Sequence, residues 1–488
     1  MDPSRAHAFF VFFSSQRAMH ALRVGSFLRP VLAPRVQARS ITTSVVALAA
    51  PKAAAPKKKV AVRRGQATGE RRTGGLRKGG VDSASQLSKS SPHYQPVPDL
   101  SDISTLDAQA ILQSPPGEPL AWSKRAQAAF QAFGMPRELQ RKQSLQPRPR
   151  SMVRSMTLEL VRLLDKANDA VPRHLLIGEP GCGKSTYLMQ AVAHAVECKW
   201  AVLYVPRAID LINSSAPYTY SPALATYLQP SLALSLLQAL LSVNADVLPR
   251  IPGEAVQLDE SLSFLAHTPL DQVIKAAVKE TVSPLAQQRA LEHVLRTLMT
   301  QSKVPFLAAV DDVQALFRES LYRDPDYVPL QAFELAVPRA LLSLVVAAPH
   351  SAQRGAVLAA MSSAHADFPP SAELLMALRR SAMQPNARVP WERLLATVSC
   401  RSAATRVPEP HAYTPLQDTH LAHATTSGFV PMDVGRPLDR AEAASLLQLM
   451  HREQSIWTIP NDEALIAKLV ESDGNMKAFE RSWRTTLL

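Results

Sequence analysis

The stretch of this chain whose residue types and spacing could do chemistry is Gly178-Glu179-Pro180-Gly181-Cys182-Gly183-Lys184-Ser185-Thr186. It reads G-x-x-x-x-G-K-S, the spacing of a phosphate-binding loop. Glycines let successive backbone N–H groups turn inward around phosphate oxygens, and a helix beginning behind them adds its partial positive charge. In that reading Lys184 reaches the β- and γ-phosphates, and Ser185 offers its hydroxyl to Mg²⁺. A second piece of the same chemistry is Phe306-Leu307-Ala308-Ala309-Val310 running into Asp311-Asp312. An apolar strand ending in aspartate is the Walker B pattern, and Asp311 would face the Mg²⁺ directly or through water. Efficient ATPases follow that aspartate with glutamate, which polarises the attacking water. Here the place is held by Asp312, one methylene shorter, a weak candidate for a catalytic group. A catalytic group displaced by about 1 Å can lose about 10²-fold in rate. The expectation is a bound purine nucleotide, GTP, GDP or ATP with Mg²⁺, turned over slowly or not at all. The alternative is an active ATPase that remodels nucleic acid or protein. The chain holds no Asn-Lys-x-Asp guanine-reading motif.

These groups need elements to position them. His174-Leu175-Leu176-Ile177 is a short apolar run suited to a buried strand, and Lys184 to Cys198 carries Leu188, Val192 and Ala195 at helical spacing. Trp200 to Val205 predicts a second buried strand, ended by Pro206. Pro230 to Val243 predicts a leucine-rich helix, and Ser283-Pro284 caps another over Leu285 to Met299. Leu341 to Ala348 predicts a further strand, with His350 and Ser351 beyond it as polar sensor candidates. Residues 382–427, rich in Pro, Ala, Thr, Ser and His, predict an irregular insertion. His420 and His423 within it lack a third ligand for a metal. Arg440 to Glu453, Asn461 to Ser472 and Met476 to Leu488 predict three closing helices. The fold expectation is α/β: an AAA+-like P-loop NTPase parallel sheet with flanking helices, a C-terminal helical lid and a disordered basic N-terminal arm. The expected divisions are a transit peptide over 1–40, a basic extension and linker over 41–122, a nucleotide-binding domain over 123–428 and the lid over 429–488.

Charge separates the arm from the body. The chain of 488 residues carries a net charge of +13. Residues 1–89 hold 17 Lys and Arg against Asp2, Glu70 and Asp82, whereas the rest holds 37 basic and 38 acidic groups. Residues 1–40 are arginine-containing, serine-containing and acid-poor, the composition of a mitochondrial presequence. Residues 51–89 space Lys57-Lys58-Lys59, Arg63-Arg64, Arg71-Arg72 and Arg77-Lys78 with small residues and no apolar period. Such a segment cannot bury a core and is suited to following an RNA backbone. Cys182, Cys198 and Cys400 form no C-x-x-C or zinc pattern and no disulfide framework. The apolar runs fall short of a membrane span.

The chain resembles the mitochondrial ribosomal family known as death-associated protein three. The residues carrying the likeness are the Gly178–Thr186 loop, Ala201-Val202-Leu203-Tyr204-Val205-Pro206, and the Asp311 strand end with Tyr322-Arg323-Asp324-Pro325-Asp326. Phe429-Val430-Pro431 and Gly474-Asn475 complete it. The likeness spans roughly residues 125–488. It implies a structural protein of the mitochondrial small ribosomal subunit, located in the matrix. Such a protein binds a purine nucleotide, usually described as GTP, and contacts small-subunit rRNA and neighbouring ribosomal proteins. It also implies that Gly178, Gly183, Lys184 and Ser185 bind phosphate and metal, with Asp311 facing the Mg²⁺.

Overall fold

The computed structural model describes residues 99–488 except 145, 147, 168–170, 261, 347–353, 385–387, 399–415, 457–460 and 486–488. The expected presequence and basic arm lie outside the described residues, as do His350, Ser351 and Cys400.

Five strands make one parallel sheet: β1 (Arg173–Ile177), β2 (Ala201–Val205), β3 (Phe306–Val310), β4 (Gly355–Ala360) and β5 (Val430–Asp433). Their order is β5-β1-β4-β3-β2. The register pairs Leu175 with Ala359, Val357 with Ala308, and Leu203 with Ala308 across successive neighbours. From β1 the chain crosses to the far edge at β2, steps back through β3 and β4, and then passes β1 to reach β5. Ligands of open parallel sheets lie outside the carboxyl ends of the strands, where the direction of winding reverses. Here that place is the end of β1.

Strand residues alternate between two separate cores, as the pleat requires. Leu175, Ile177, Leu203, Val205, Ala308, Val310, Val357 and Ala359 face one. Leu176, Val202, Tyr204, Leu307, Ala309, Leu358, Ala360 and Met432 face the other. Because both faces are covered, the strands read as continuous apolar runs, as in buried parallel sheets. The second face packs on α1 (Lys124–Phe133), α2 (Ser155–Asp165) and α3 (Lys184–Glu197). Ser123 caps α1 by accepting from Ala126 N. The first face packs on α4 (Pro230–Val243), α5 (Pro284–Thr300) and α6 (Ala336–Val346). Ser283 and Pro284 start α5 as the sequence predicts.

The chain closes with α7 (Arg440–Arg452), α8 (Asp462–Glu471) and α9 (Met476–Thr485). They share a small core of Leu438, Leu446, Leu447, Met450, Leu465, Phe479 and Trp483. An Asp439–Glu442 capping box opens α7.

Three local expectations are corrected. Leu341 to Val346, expected as strand, is the second half of helix α6; a short apolar run suits a buried helix as well as a strand. The fourth strand is instead Gly355–Ala360. The sheet also runs past residue 428, since Val430–Asp433 pairs with β1. Pro431 is tolerated there because β5 is an edge strand. Within 382–427, helices Trp391–Val398 and Asp418–Thr426 are formed, and the second carries both His420 and His423.

Candidate functional site

The glycine stretch leaves β1 at Ile177 and ends at the first residue of α3. Gly181 and Gly183 have φ of +89° and +105°, conformations that side chains resist. Tyr187 N donates to Gly183 O at 3.0 Å, the first bond of the helix. Glu179 is exposed, and Cys182 is buried with its Sγ 4.0 Å from Lys184 Nζ. Lys184 is itself buried. Its ammonium donates to Gly178 O at 2.7 Å and Glu179 O at 3.0 Å. The charge is thus held on the loop by backbone carbonyls. Thr186 opens onto a cavity of about 60 Å³ shared with Met189, Arg150, Met450 and Met476.

Ser185 acts on the Asp311 carboxyl as a side-chain partner that lowers its pKa, which sets the head of α3 beside the end of β3. Asp311 and Asp312 are both buried, and Asp312 N donates to Asp311 Oδ1 at 3.0 Å. Burial, and then the charge of Asp312, push the Asp311 carboxyl up from its ordinary range, against the Ser185 hydrogen bond. Burial also pushes Asp312 up, opposed first by Arg207. Two adjacent carboxylates in low dielectric repel each other, and a divalent cation relieves that repulsion. Among the described residues no three His, Cys, Asp or Glu side chains stand together to hold a metal. A cation at Asp311 and Ser185 would draw its other ligands from water and phosphate oxygens, as Mg²⁺ commonly does. The donor set therefore fits a Mg²⁺–phosphate group, with Lys184 and the loop N–H groups beside it.

Asp312 has φ of +55°, a left-handed conformation. His365 Nε2 lies 3.6 Å from Asp312 Oδ2. Gln314, fully buried, accepts from Ser362 N at 3.1 Å. His365, Gln314 and Arg207 are the polar groups around the aspartate pair that sequence reasoning missed. They follow three different strands, so only the sheet order brings them together.

The C-terminal segment closes directly on the loop. Asn475 Nδ2 donates to Pro180 O at 3.0 Å, and Lys477 N donates to Gly181 O at 3.2 Å. A side chain at Gly181 would begin 2.7 Å from Lys477 Cβ. Arg154 fastens the same region from beneath. Its buried guanidinium donates to Glu442 Oε2 at 3.0 Å, Tyr187 Oη at 2.9 Å, Arg436 O at 3.0 Å and Pro437 O at 3.1 Å. One side chain thus joins the approach to α2, helix α3 and the start of the C-terminal helices.

All nine residues of the predicted loop stand together at the carboxyl end of β1, and Asp311 meets Ser185 there. Sheet and site define a parallel α/β protein built around a glycine loop at the head of a helix. The model of one family, described as mitochondrial ribosomal death-associated protein 3, matches residues 151–482, and the chain belongs to that family. Among curated proteins it is similar to the small ribosomal subunit protein mS29 of Neurospora crassa, 28% identical over 247 residues, 50% of this chain and 52% of that one. It is likewise similar to mS29 of Schizosaccharomyces pombe, 26% identical over 230 residues, 46% and 48% of the two chains. The Bos taurus mS29 is 28% identical over 232 residues, 45% and 55%. The matches span about half the length of these relatives.

Proposed function

We propose that this chain is a structural protein of the mitochondrial small ribosomal subunit, retaining a purine nucleotide and Mg²⁺ at the Gly178–Thr186 loop. Family membership across residues 151–482, with relatives named as small ribosomal subunit proteins, carries the ribosomal part of the reading. The basic composition of residues 1–89 suits import and then contact with rRNA phosphates. Neighbouring ribosomal proteins are the other partners. The nucleotide part is supported by the meeting of Ser185 with Asp311 beside the buried Lys184. Gly178, Gly181, Gly183 and Lys184 would hold phosphate, Ser185 and Asp311 the Mg²⁺. Glu179, Pro180, Cys182 and Thr186 complete the loop. The shortened, left-handed Asp312 is a poor base for activating water, so retention outweighs turnover. The closed C-terminal helices act in this reading as a lid.

The test is to sediment a mitochondrial lysate through a gradient and extract nucleotide from the small subunit. The chain is expected in that fraction with a di- or triphosphate bound. In the purified chain, nucleotide at 100 times its dissociation constant adds about 2.7 kcal/mol to stability. Lys184→Ala is expected to abolish that ligand-dependent rise in unfolding midpoint. A variant that keeps the full rise, or a wild-type chain that never carries nucleotide, defeats the nucleotide reading. Absence from the small-subunit fraction defeats the ribosomal one.

A further inference from the structure

Eleven large apolar or aromatic side chains are exposed among the described residues, and five of them, Tyr218, Tyr220, Leu321, Tyr327 and Val328, sit on or beside two neighbouring hairpins. Such clustering is not the scatter expected of a solvated surface. The first hairpin pairs Thr219–Ser221 with Thr226–Leu228 and sets Tyr220 opposite Tyr227. The second pairs Glu319–Arg323 with Pro329–Gln331.

The two are fastened to each other. The Tyr218 ring meets Tyr322 edge-on at 4.9 Å, and its hydroxyl donates to Arg323 O at 2.6 Å. The Tyr322 hydroxyl accepts from Ala216 N at 3.2 Å. Tyr227 stacks at 5.9 Å from Tyr218 and 5.1 Å from Tyr220. The result is a fixed row of four tyrosines in which Tyr322 is buried, Tyr227 half-buried, and Tyr218 and Tyr220 open to solvent. An ordered aromatic row loses little conformational entropy when something binds to it.

Beside the row lies an open strand edge. Thr226–Leu228 is bonded on one side to Thr219–Ser221 and bridged on the other, at Tyr227, to Leu335. Among the described residues no strand pairs with the outer edge of Thr219–Ser221, where Thr219 and Tyr220 are exposed. That strand contains no lysine, proline or bulge of the kind that blunts an edge.

Charge selects the occupant. Glu319 and Asp326 are exposed and Asp324 and Glu334 half-buried around the row, and the last two act on Tyr227. Against them stand Arg323, whose guanidinium donates to Tyr327 O at 2.8 Å, and half-buried Arg318, whose Nε donates to Glu319 O at 3.4 Å. Arg339, near the first hairpin's turn, donates to Leu224 O and faces Glu292 at 3.6 Å. Tyrosines can stack nucleobases, but single-strand binding also needs a cationic track for phosphate. This surface presents carboxylates in its place. We propose that the two hairpins dock an extended, Lys- or Arg-rich segment of a partner protein. The segment adds as a strand to the edge of Thr219–Ser221, lays alternate side chains on the tyrosines and sets its charges against Glu319 and Asp326.

The inference rests on the ribosomal reading, and one experiment separates them. The full chain carrying a benzophenone amino acid in place of Tyr220 is assembled into small subunits, sedimented and irradiated. The expected adduct is a protein segment of net positive charge, and its yield falls about fivefold when Glu319→Lys and Asp326→Lys are added. Both positions are exposed, and the yield is read per chain recovered in the small-subunit fraction. An adduct to RNA or to a neutral or acidic segment, no adduct, or a yield indifferent to the charge reversals overturns the docking proposal alone. A chain that fails to sediment with the small subunit overturns the ribosomal reading and the proposal with it.

Discussion

At the amino end of β1, Arg173 is buried with its guanidinium donating to Val345 O and Ser427 O, each at 3.1 Å. His174 beside it is driven to a pKa of about 4, by burial first and then by the charge of Arg388. At the carboxyl ends of β1 and β3 the buried charges are Lys184 and the Asp311–Asp312 pair. The first end ties its cation to carbonyls from two distant segments and keeps its imidazole neutral, while Arg173 Nη2 and His174 Nδ1 are buried without a hydrogen-bond partner. The second end places two acids side by side and holds its ammonium only with carbonyls of its own loop. Buried polar groups matched by the fold serve stability, whereas like charges forced together mark a place where an outside partner improves matters.

The largest expected effect comes from breaking the amino end. Arg173→Leu strands two buried carbonyls and should lower the unfolding free energy by about 3 kcal/mol. Urea denaturation without nucleotide measures this; a loss under about 1 kcal/mol would erase the contrast between the ends. At the carboxyl end the sign reverses. Asp311→Asn removes a like-charge contact, and at pH 8 should stabilise the ligand-free chain by about 1 kcal/mol while shrinking the rise produced by Mg²⁺ and nucleotide. A variant less stable than wild type in the absence of ligand would show that the pair is not strained. The third effect is a pH slope, small per pH unit. A histidine whose folded pKa lies below its unfolded value contributes stability that is present above pH 6.5 and lost as pH falls toward 4. His174→Gln should flatten the stability curve by roughly 1 kcal/mol per pH unit across that window. Matching slopes for variant and wild type between pH 6.5 and 5 would remove His174 from the account.

Much of the architecture is legible in the sequence because it rests on local rules. Ser283-Pro284 and Pro230 mark helix starts, and the Gly178–Thr186 spacing implies its own strand, turn and helix. Asp311 is also legible, since an apolar strand ending in aspartate far beyond a glycine loop has few other uses. The failures have a physical pattern. Leu341 to Val346 holds a single polar residue, Ser343, too little for periodicity to separate helix from strand. Gly355 to Met361 reads equally as a strand or a helix, and the sheet decides for strand by seating Gly355–Ala360 between β1 and β3. His365 and Arg154 gain their side-chain partners through contacts between distant segments, and Arg207 and Asn475 add such contacts to local ones with Asp210 and Ala478. No local signal marks such residues before the chain is folded.

Pro180 and Asn475, whose side chain bonds it, stand 295 residues apart. Synthesis runs from the amino terminus, so the glycine loop emerges long before the segment that rests on it. Contacts of such sequence separation are costly to close and form late. A chain interrupted between residues 434 and 475 holds all five strands and the residues of both sheet cores yet leaves the loop uncovered. The presence of the Asn475 segment is therefore registered at the loop itself.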